Sequence, residues 1–516
     1  FQAEQTLIPN PNENTIGHLW TLTEAKFEGK NLLINEVDES ELNWEDCNEI
    51  ILAIQQRLAS EGLQKGEVIS IVSSLHFEAI LTFWASTQMG LVCQIISNSH
   101  SQKTISQLLA QAKPKLIFHS HLMDLPNPTT KTIVFDEEES EIASESFSDW
   151  LYAEEETNIE IRPATENDIA VILYTSGSTG LPNGIPLTHK MLFQSAEKVA
   201  NTFRWNQAAI YLATSELDSM SGLRNTALAT IFAGCPIVIP NLAVYNKVFS
   251  IVESIRNQQI TLLSTTPALL KQFVQLGEGI KKDISSLKTV ICTAAILTKK
   301  LIEEFYELFQ IKILNYYGLT ETSGICLANS PDTPLEKLDS LGKSITGITQ
   351  LVNELGEISE DGEFRIYGEN VTSSYAFGKV IEGGTEDFRL ENDWLYTQDI
   401  MHRDSEGYFH MKGRKREIVK NTNGETIYLS KIREEILRFD MVKDIFVGSF
   451  TEQAIEKVVA IVQLQKGADF TDFQKELASE IQPKLLPNKL IESAEIPYNS
   501  RGKIDKETLE MLISQS

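Results

Sequence analysis

The chain has 516 residues, and 72 Asp plus Glu against 45 Lys plus Arg give a formal net charge of −27 at pH 7. That surplus excludes nucleic acid as the main partner and docking on anionic membrane surfaces, because both are held by excess cation. A composition of 42% hydrophobic and 23% charged residues excludes a disordered tail, a fibre and a disulfide scaffold.

Along the chain, apolar spacing predicts a helix over Ile51–Leu63, a β-branched strand at Val68–Val72 and a helix over Phe77–Met89. The alternation continues with a helix at Thr104–Ala112 and a strand at Lys115–Phe118. It recurs as a strand at Ile210–Ala213, a helix at Leu223–Phe232 and a strand at Pro236–Ile239. Such alternation predicts layered α/β architecture with largely parallel, buried sheets. The acidic, Ser-rich stretch Asp136–Glu156 reads as a solvated connector. From Glu354 to Tyr375, short alternating segments with Gly and Asp turns predict a small antiparallel β module. Strands at Glu417–Lys420, Val442–Phe450 and Val458–Gln463, with helices at Ser430–Arg438 and Asp472–Ile481, predict a separate α+β unit. The expected division is an N-terminal domain over 1–412 and a mobile C-terminal domain over 413–516.

No run reaches the roughly 18 apolar residues of a membrane helix. Five dispersed cysteines (Cys47, Cys93, Cys235, Cys292, Cys326), without a CxxC pair or zinc spacing, read as reduced thiols of a cytoplasmic protein. The histidines show no HExxH-type grouping, so no transition-metal site is expected.

The most informative stretch is Val171-Ile-Leu-Tyr-Thr-Ser-Gly-Ser-Thr-Gly-Leu-Pro-Asn-Gly184. An apolar strand delivers the chain into a loop where Gly177 and Gly180 alternate with Thr175, Ser176, Ser178 and Thr179. Backbone N–H groups and hydroxyls in such a loop can wrap a polyphosphate. No Lys-Ser/Thr follows, so this is not the loop of P-loop NTPases. Taken alone, a surface loop fits the same text.

Four later segments stand in order behind it: Asn315-Tyr-Tyr-Gly-Leu-Thr-Glu321, Trp394-Leu-Tyr-Thr-Gln-Asp399, Gly413-Arg414 and Pro497-Tyr-Asn-Ser-Arg-Gly-Lys503. Together with the glycine-hydroxyl loop they resemble the signatures of the adenylate-forming superfamily, which includes acyl-CoA synthetases, luciferases and nonribosomal peptide synthetase adenylation domains. The resemblance runs from Tyr174 to Lys503, and Gly62-Leu-Gln-Lys-Gly-Glu67 also fits. It implies ATP- and Mg²⁺-dependent activation of a carboxylic acid as acyl-AMP, followed by transfer to a thiol. The acceptor is either coenzyme A or the phosphopantetheine of a carrier protein acting in trans. The alternatives are a stand-alone amino-acid adenylation enzyme and a non-catalytic nucleotide-binding relative.

The resemblance also implies residue roles. Thr175, Ser176, Gly177, Ser178, Thr179 and Gly180 would cradle phosphates, and Ala294, Tyr317 and Gly318 would line the nucleotide site. Thr320 would donate to the α-phosphate. Glu321 would hold Mg²⁺, as a hard carboxylate oxygen suits it. Asp399 would accept from the ribose hydroxyls with help from Arg414. Lys503 would carry a mobile ammonium between carboxylate and α-phosphate, stabilising charge that develops as they react. Arg416 stands at the hinge, and the basic run Lys412–Lys420 is either a phosphate-binding edge or a solvated one. In the acid pocket the candidates are Asp218, Ser219 and Gly222. Asp218 could pair with a substrate ammonium or cap the helix that follows.

Two departures from the family text stand out. Asn183 replaces the lysine of a Pro-Lys-Gly, removing a cation from the pyrophosphate end, and Gln398 replaces the glycine before Asp399.

Overall fold

A computed structural model describes residues 12–72, 77–120, 130–135, 145–152, 162–175, 182–241, 247–295, 297–376, 389–420, 426–452, 455–496 and 511–512. The chain divides into two compact units: residues 1–348 with 366–394, and residues 349–365 with 395–516. The segment expected as an antiparallel module is therefore divided, residues 354–365 falling in the second unit and 366–375 in the first.

Among the described residues, the first unit carries two sheets. In the smaller, Lys131–Val134, Leu116–His119, Val68–Val72, Val92–Ile96 and Ile169–Thr175 lie parallel. An antiparallel strand, Asn183–Thr188, closes one edge against Ile169–Thr175. In the larger, Ile313–Tyr317, Thr289–Cys292, Leu262–Thr265, Tyr211–Leu212, Ile237–Ile239 and Asn31–Asn35 run parallel in that order. Strands buried on both faces read as mainly apolar text without strict alternation, as Val68–Val72 and Val92–Ile96 do, and their buried polar residues, Ser70 and Gln94, bond to each other across the pair.

Helix boundaries follow local chemistry. The helix expected from Ile51 starts at Trp44, because Asn43 and Asp46 cap it reciprocally: Asn43 Oδ1 accepts from the Asp46 N–H at 2.8 Å, and the Asn43 N–H donates to Asp46 Oδ2 at 3.0 Å. The segment read as one helix over Leu223–Phe232 differs. It is an α turn at Met220–Arg224, a wide π turn at Asn225–Ala229 and a short α turn at Thr230–Ala233. An outside donor accounts for the widening: the Trp84 indole N–H donates to the Ala227 carbonyl at 2.7 Å and competes with the helical ladder.

The second unit holds an antiparallel sheet ordered Ile358–Ser359, Ile348–Val352, Asp361–Tyr367, Trp394–Arg403, with Phe409–Arg414 paired to Trp394–Arg403. Beyond it, Val442–Glu452, Ile455–Leu464 and Lys489–Glu492 form a sheet against helices Leu429–Leu437 and Phe470–Glu480. Ile432, Ile436, Ile445, Ala460, Val462 and Phe473 form the centre of that core.

All five cysteines are free and buried, and burial pushes the thiols of Cys93, Cys235 and Cys326 up to about 12, so they stay protonated. Among the described residues, no helix is long and apolar enough to cross a membrane.

Candidate active site

In the first unit, the hairpin Ile169–Thr175/Asn183–Thr188 sets the phosphate-loop candidate. Thr175 pairs directly with Asn183, so the strand ends on either side of the glycine-hydroxyl segment are fixed against each other. Ser176, Gly177, Ser178, Thr179 and Gly180 lie outside the described residues. Asn183 is buried at that closing pair, so the missing lysine charge belongs to the base of the loop. Behind the hairpin, Gln94 Nε2 donates to Leu108 O at 3.1 Å and to the Tyr174 hydroxyl at 2.5 Å, and burial pushes the Tyr174 phenol up to about 12. A neutral, pinned Tyr174 holds the strand end that carries Thr175.

Facing Thr175 is the loop that follows strand Ile313–Tyr317. The Thr175 hydroxyl donates to Glu321 Oε1 at 3.5 Å, and Glu321 is 6% exposed. This contact joins the first and second signature segments, which are 146 residues apart. The Glu321 loop is fastened from several sides. The Thr372 N–H donates to Glu321 O at 2.9 Å, the Ser323 hydroxyl to Asn370 O at 2.9 Å, and the Ser195 hydroxyl to Ser323 O at 2.6 Å. A Cβ at Gly318 would stand 2.4 Å from the Gly324 carbonyl carbon and the Ile325 nitrogen, so only glycine fits where the loop folds back on itself. Thr320 opens the single 3₁₀ turn Thr320–Thr322, half-buried beside Glu321. Tyr317 is buried at the end of its strand.

Ala294 holds a left-handed backbone at φ +76°, uncommon for a residue with a Cβ. The preceding Thr293 donates through Oγ1 to Tyr316 O at 3.0 Å, which brings this strained turn alongside Tyr317. Backbone strain of this kind collects at binding sites.

The acid-pocket candidates sit on the turn before Met220–Arg224. Ser219, rather than Asp218, caps it: its hydroxyl accepts from the Gly222 N–H at 3.0 Å and donates to Glu216 O at 3.2 Å. A Cβ at Gly222 would fall 1.9 Å from Glu216 O, so that glycine is demanded by packing. Asp218 is half-buried just outside the turn. Met220 packs beneath Gly324, its Cγ 2.5 Å from where a Cβ would stand, so the turn lies directly under the Glu321 loop. One residue escaped the reading of the sequence. Arg224, inside the segment Leu223–Phe232 that was read as helical, is fully buried at 0% exposure. The signal was the one charged residue in a segment otherwise made of apolar and small neutral polar residues.

The second unit holds the remaining pair. Asp399 and Arg414 are cross-strand partners, and Arg414 Nε lies 3.0 Å from Asp399 Oδ1. Asp399 is fully buried while the Arg414 side chain is 42% exposed, so the carboxylate is held in one orientation by a partly hydrated cation. Gln398 holds a left-handed backbone, at φ +64°, of the kind glycine adopts without strain, and its N–H donates to Glu363 Oε1 at 3.1 Å. Lys415 reaches the same Glu363 at 3.3 Å. Arg416 is exposed in the 3₁₀ turn Lys415–Glu417, between two strands. Lys503 lies outside the described residues.

Among the described residues there is no cluster of three or more His, Cys, Asp or Glu able to enclose a metal. A buried carboxylate with a hydroxyl beside it suits Mg²⁺, which keeps several waters and takes one or two carboxylates plus substrate phosphates. Glu321 and Thr175 fit that requirement.

The AMP-binding enzyme family model matches residues 22–376, more than half of the chain. The chain belongs to the AMP-binding enzyme family. It is 22% identical over 527 residues to the peroxisomal OPC-8:0-CoA ligase 1 of Arabidopsis thaliana, covering 99% of this chain and 95% of that protein. Its fold is similar to that of the anthranilate CoA ligase AuaEII solved with anthranoyl-AMP, at a TM-score of 0.86, 19% identity and 97% coverage of both chains. It is also similar to the o-succinylbenzoate coenzyme A synthetase of Bacillus subtilis solved with ATP and magnesium, at a TM-score of 0.79, 20% identity, and 95% and 99% coverage.

Proposed function

We propose that this protein is an acid–thiol ligase that uses ATP and Mg²⁺ to activate a carboxylic acid. In the first step a carboxylate oxygen attacks the α-phosphorus of ATP, giving acyl-AMP and pyrophosphate. In the second the thiol sulfur of coenzyme A attacks the acyl carbon, the thiol proton is lost to solvent, and AMP leaves. The observation that carries the reading is the Thr175–Glu321 contact, which sets a buried carboxylate beside the strand end from which the glycine-hydroxyl segment continues in sequence.

Two anions must approach in the first step, so the site needs positive charge where repulsion develops. Glu321 would hold Mg²⁺, which supplies charge neutralisation on the phosphates. Thr175, Ser176, Gly177, Ser178, Thr179 and Gly180 would donate to the phosphate oxygens, and Thr320 to the α-phosphate. Tyr317 would present its ring to adenine, with Ala294 and Gly318 shaping the same wall. Asp399, oriented by Arg414, would accept from the ribose hydroxyls. Lys503 would bring its ammonium to the reacting oxygens, and the part of the chain from 413 to 516 would swing about Arg416 to clear the thiol path. Ser219 and Gly222 shape the acid pocket, and Asp218 borders it.

Coenzyme A is the acceptor favoured by the relatives' names; a carrier protein in trans is the other acceptor. The cytoplasm is the proposed compartment, in keeping with five free cysteines. Pyrophosphate release with fatty, aryl and amino acids, with and without coenzyme A, tests the reading. Release that depends on an acid and on Mg²⁺ supports it. No release with any acid, and no ATP binding, contradicts it.

A further inference from the structure

Beneath the Glu321 loop lies a cluster of buried polar groups that acid activation as described leaves unexplained. Arg224 is its centre, at 0% exposure. Its Nε donates to Asn225 Oδ1 at 3.0 Å, its Nη2 donates to the Tyr316 hydroxyl at 3.0 Å, and its guanidinium carbon stands 5.3 Å from the Tyr316 ring centroid. Nη1 has no hydrogen-bond partner among the described residues. Among the described residues, no carboxylate forms an ion pair with this guanidinium. Nη1 faces the Glu321 loop, 2.8 Å from the point a Cβ on Gly324 would occupy. Tyr211, Asn225, Thr226 and Ser264 are buried around it, and Asn225 Nδ2 donates to Ser264 Oγ at 3.0 Å.

A guanidinium keeps its charge in any protein interior, so burial cannot be relieved by losing a proton. Neutral oxygens satisfy part of its donor fork, and the positive charge stays uncompensated, a costly arrangement unless an anion completes it. The π turn at Asn225–Ala229 starts immediately after Arg224, a widening that recurs at functional sites. We infer that Arg224 is a specificity residue that binds a second carboxylate carried by the acyl substrate, so that the acid activated is a dicarboxylic acid. The inference rests on the acid-activating reading and narrows it. It also disfavours amino acids, because a substrate ammonium brought to this turn would meet the buried cation.

The test compares matched acids differing only in the second carboxylate: hexanoate with adipate, and benzoate with terephthalate. Pyrophosphate release by the full chain should favour the diacid of at least one pair in kcat/KM, on the order of 100-fold, as expected when a buried donor is left unpaired by the analogue. Arg224→Met, neutral and of similar length, should lose that preference through KM for the diacid while keeping monoacid turnover. Arg224→Lys should retain part of it. Equal losses for both members of each pair in Arg224→Met, or wild-type preference for the monoacids, overturn the inference while leaving acid activation standing. If no acid releases pyrophosphate, the acid-activating reading fails, and thermal shift decides the role of Arg224. Diacids alone should then raise the melting temperature of the wild type and not of Arg224→Met, and absence of that difference overturns the inference. If neither variant folds, the wild-type pairs decide by the same criteria.

Discussion

Replacing Gly318 by alanine asks whether the Glu321 loop is held by backbone-to-backbone contact. The added carbon would lie 2.4 Å from the Gly324 carbonyl carbon and the Ile325 nitrogen, and 2.5 Å from the Gly324 oxygen. Ordinary carbon contacts lie at about 3.5–4.0 Å, so the gap is short by about 1 Å. Every obstructing atom is main chain, so no rotamer change relieves the clash and the loop itself must move. Overpacking of this kind costs about 1–3 kcal/mol, or a few degrees of melting temperature in a unit of this size. A displacement of about 1 Å at Thr320 and Glu321 should cost activity about 100-fold. The assay pairs ATP–pyrophosphate exchange with thermal unfolding. Gly279→Ala is the control, since its added carbon meets nothing within 4 Å. A folded Gly318→Ala protein with wild-type exchange would refute the packing argument.

Three further substitutions probe separate links. Gln398→Gly should raise stability by up to about 1 kcal/mol, because a left-handed backbone at φ +64° strains any residue with a Cβ; chemical denaturation showing a loss instead would mean the side chain matters more than the strain. Ser219→Ala removes a cap and should cost about 1 kcal/mol; an unchanged denaturation midpoint with a raised KM for the acid would assign Ser219 to substrate instead. Burial lowers the buried His189 to about 4, with the Asp168 charge opposing and the Lys65 charge assisting. The unfolded chain binds this proton below about 6.5 and the folded chain does not. Its contribution is therefore intact above pH 6.5 and lost as pH falls toward 4, amounting to about 3 kcal/mol. Melting curves of His189→Gln should fall less steeply than wild type across that window, and parallel curves would contradict the assignment.

The layered α/β order was legible because buried parallel strands write themselves as short, mainly β-branched runs, as Val68–Val72 does around its one polar residue, Ser70. The π turn at Asn225–Ala229 was not, since its cause is a hydrogen bond from Trp84, 143 residues away. At the site, Thr175 and Glu321 were nameable from motifs, and their juxtaposition needed two strands to end at the same place. The cap at Ser219 was missed in favour of Asp218 because the two neighbours have the same chemistry, and backbone geometry decides between them. Arg224 was passed over because periodicity weighs its apolar neighbours and ignores one charge, whose meaning depends on Tyr316 and Gly324 from another segment.

The proposed division of labour rests on Lys503, and Lys503→Ala tests it by splitting the two half-reactions. Acid-dependent pyrophosphate release should fall at least 100-fold, as for loss of a charge aimed at the transition state. Thioester formation from preformed acyl-AMP and coenzyme A should stay near the wild-type rate. Undiminished pyrophosphate release, or equal loss of both halves, would contradict the account.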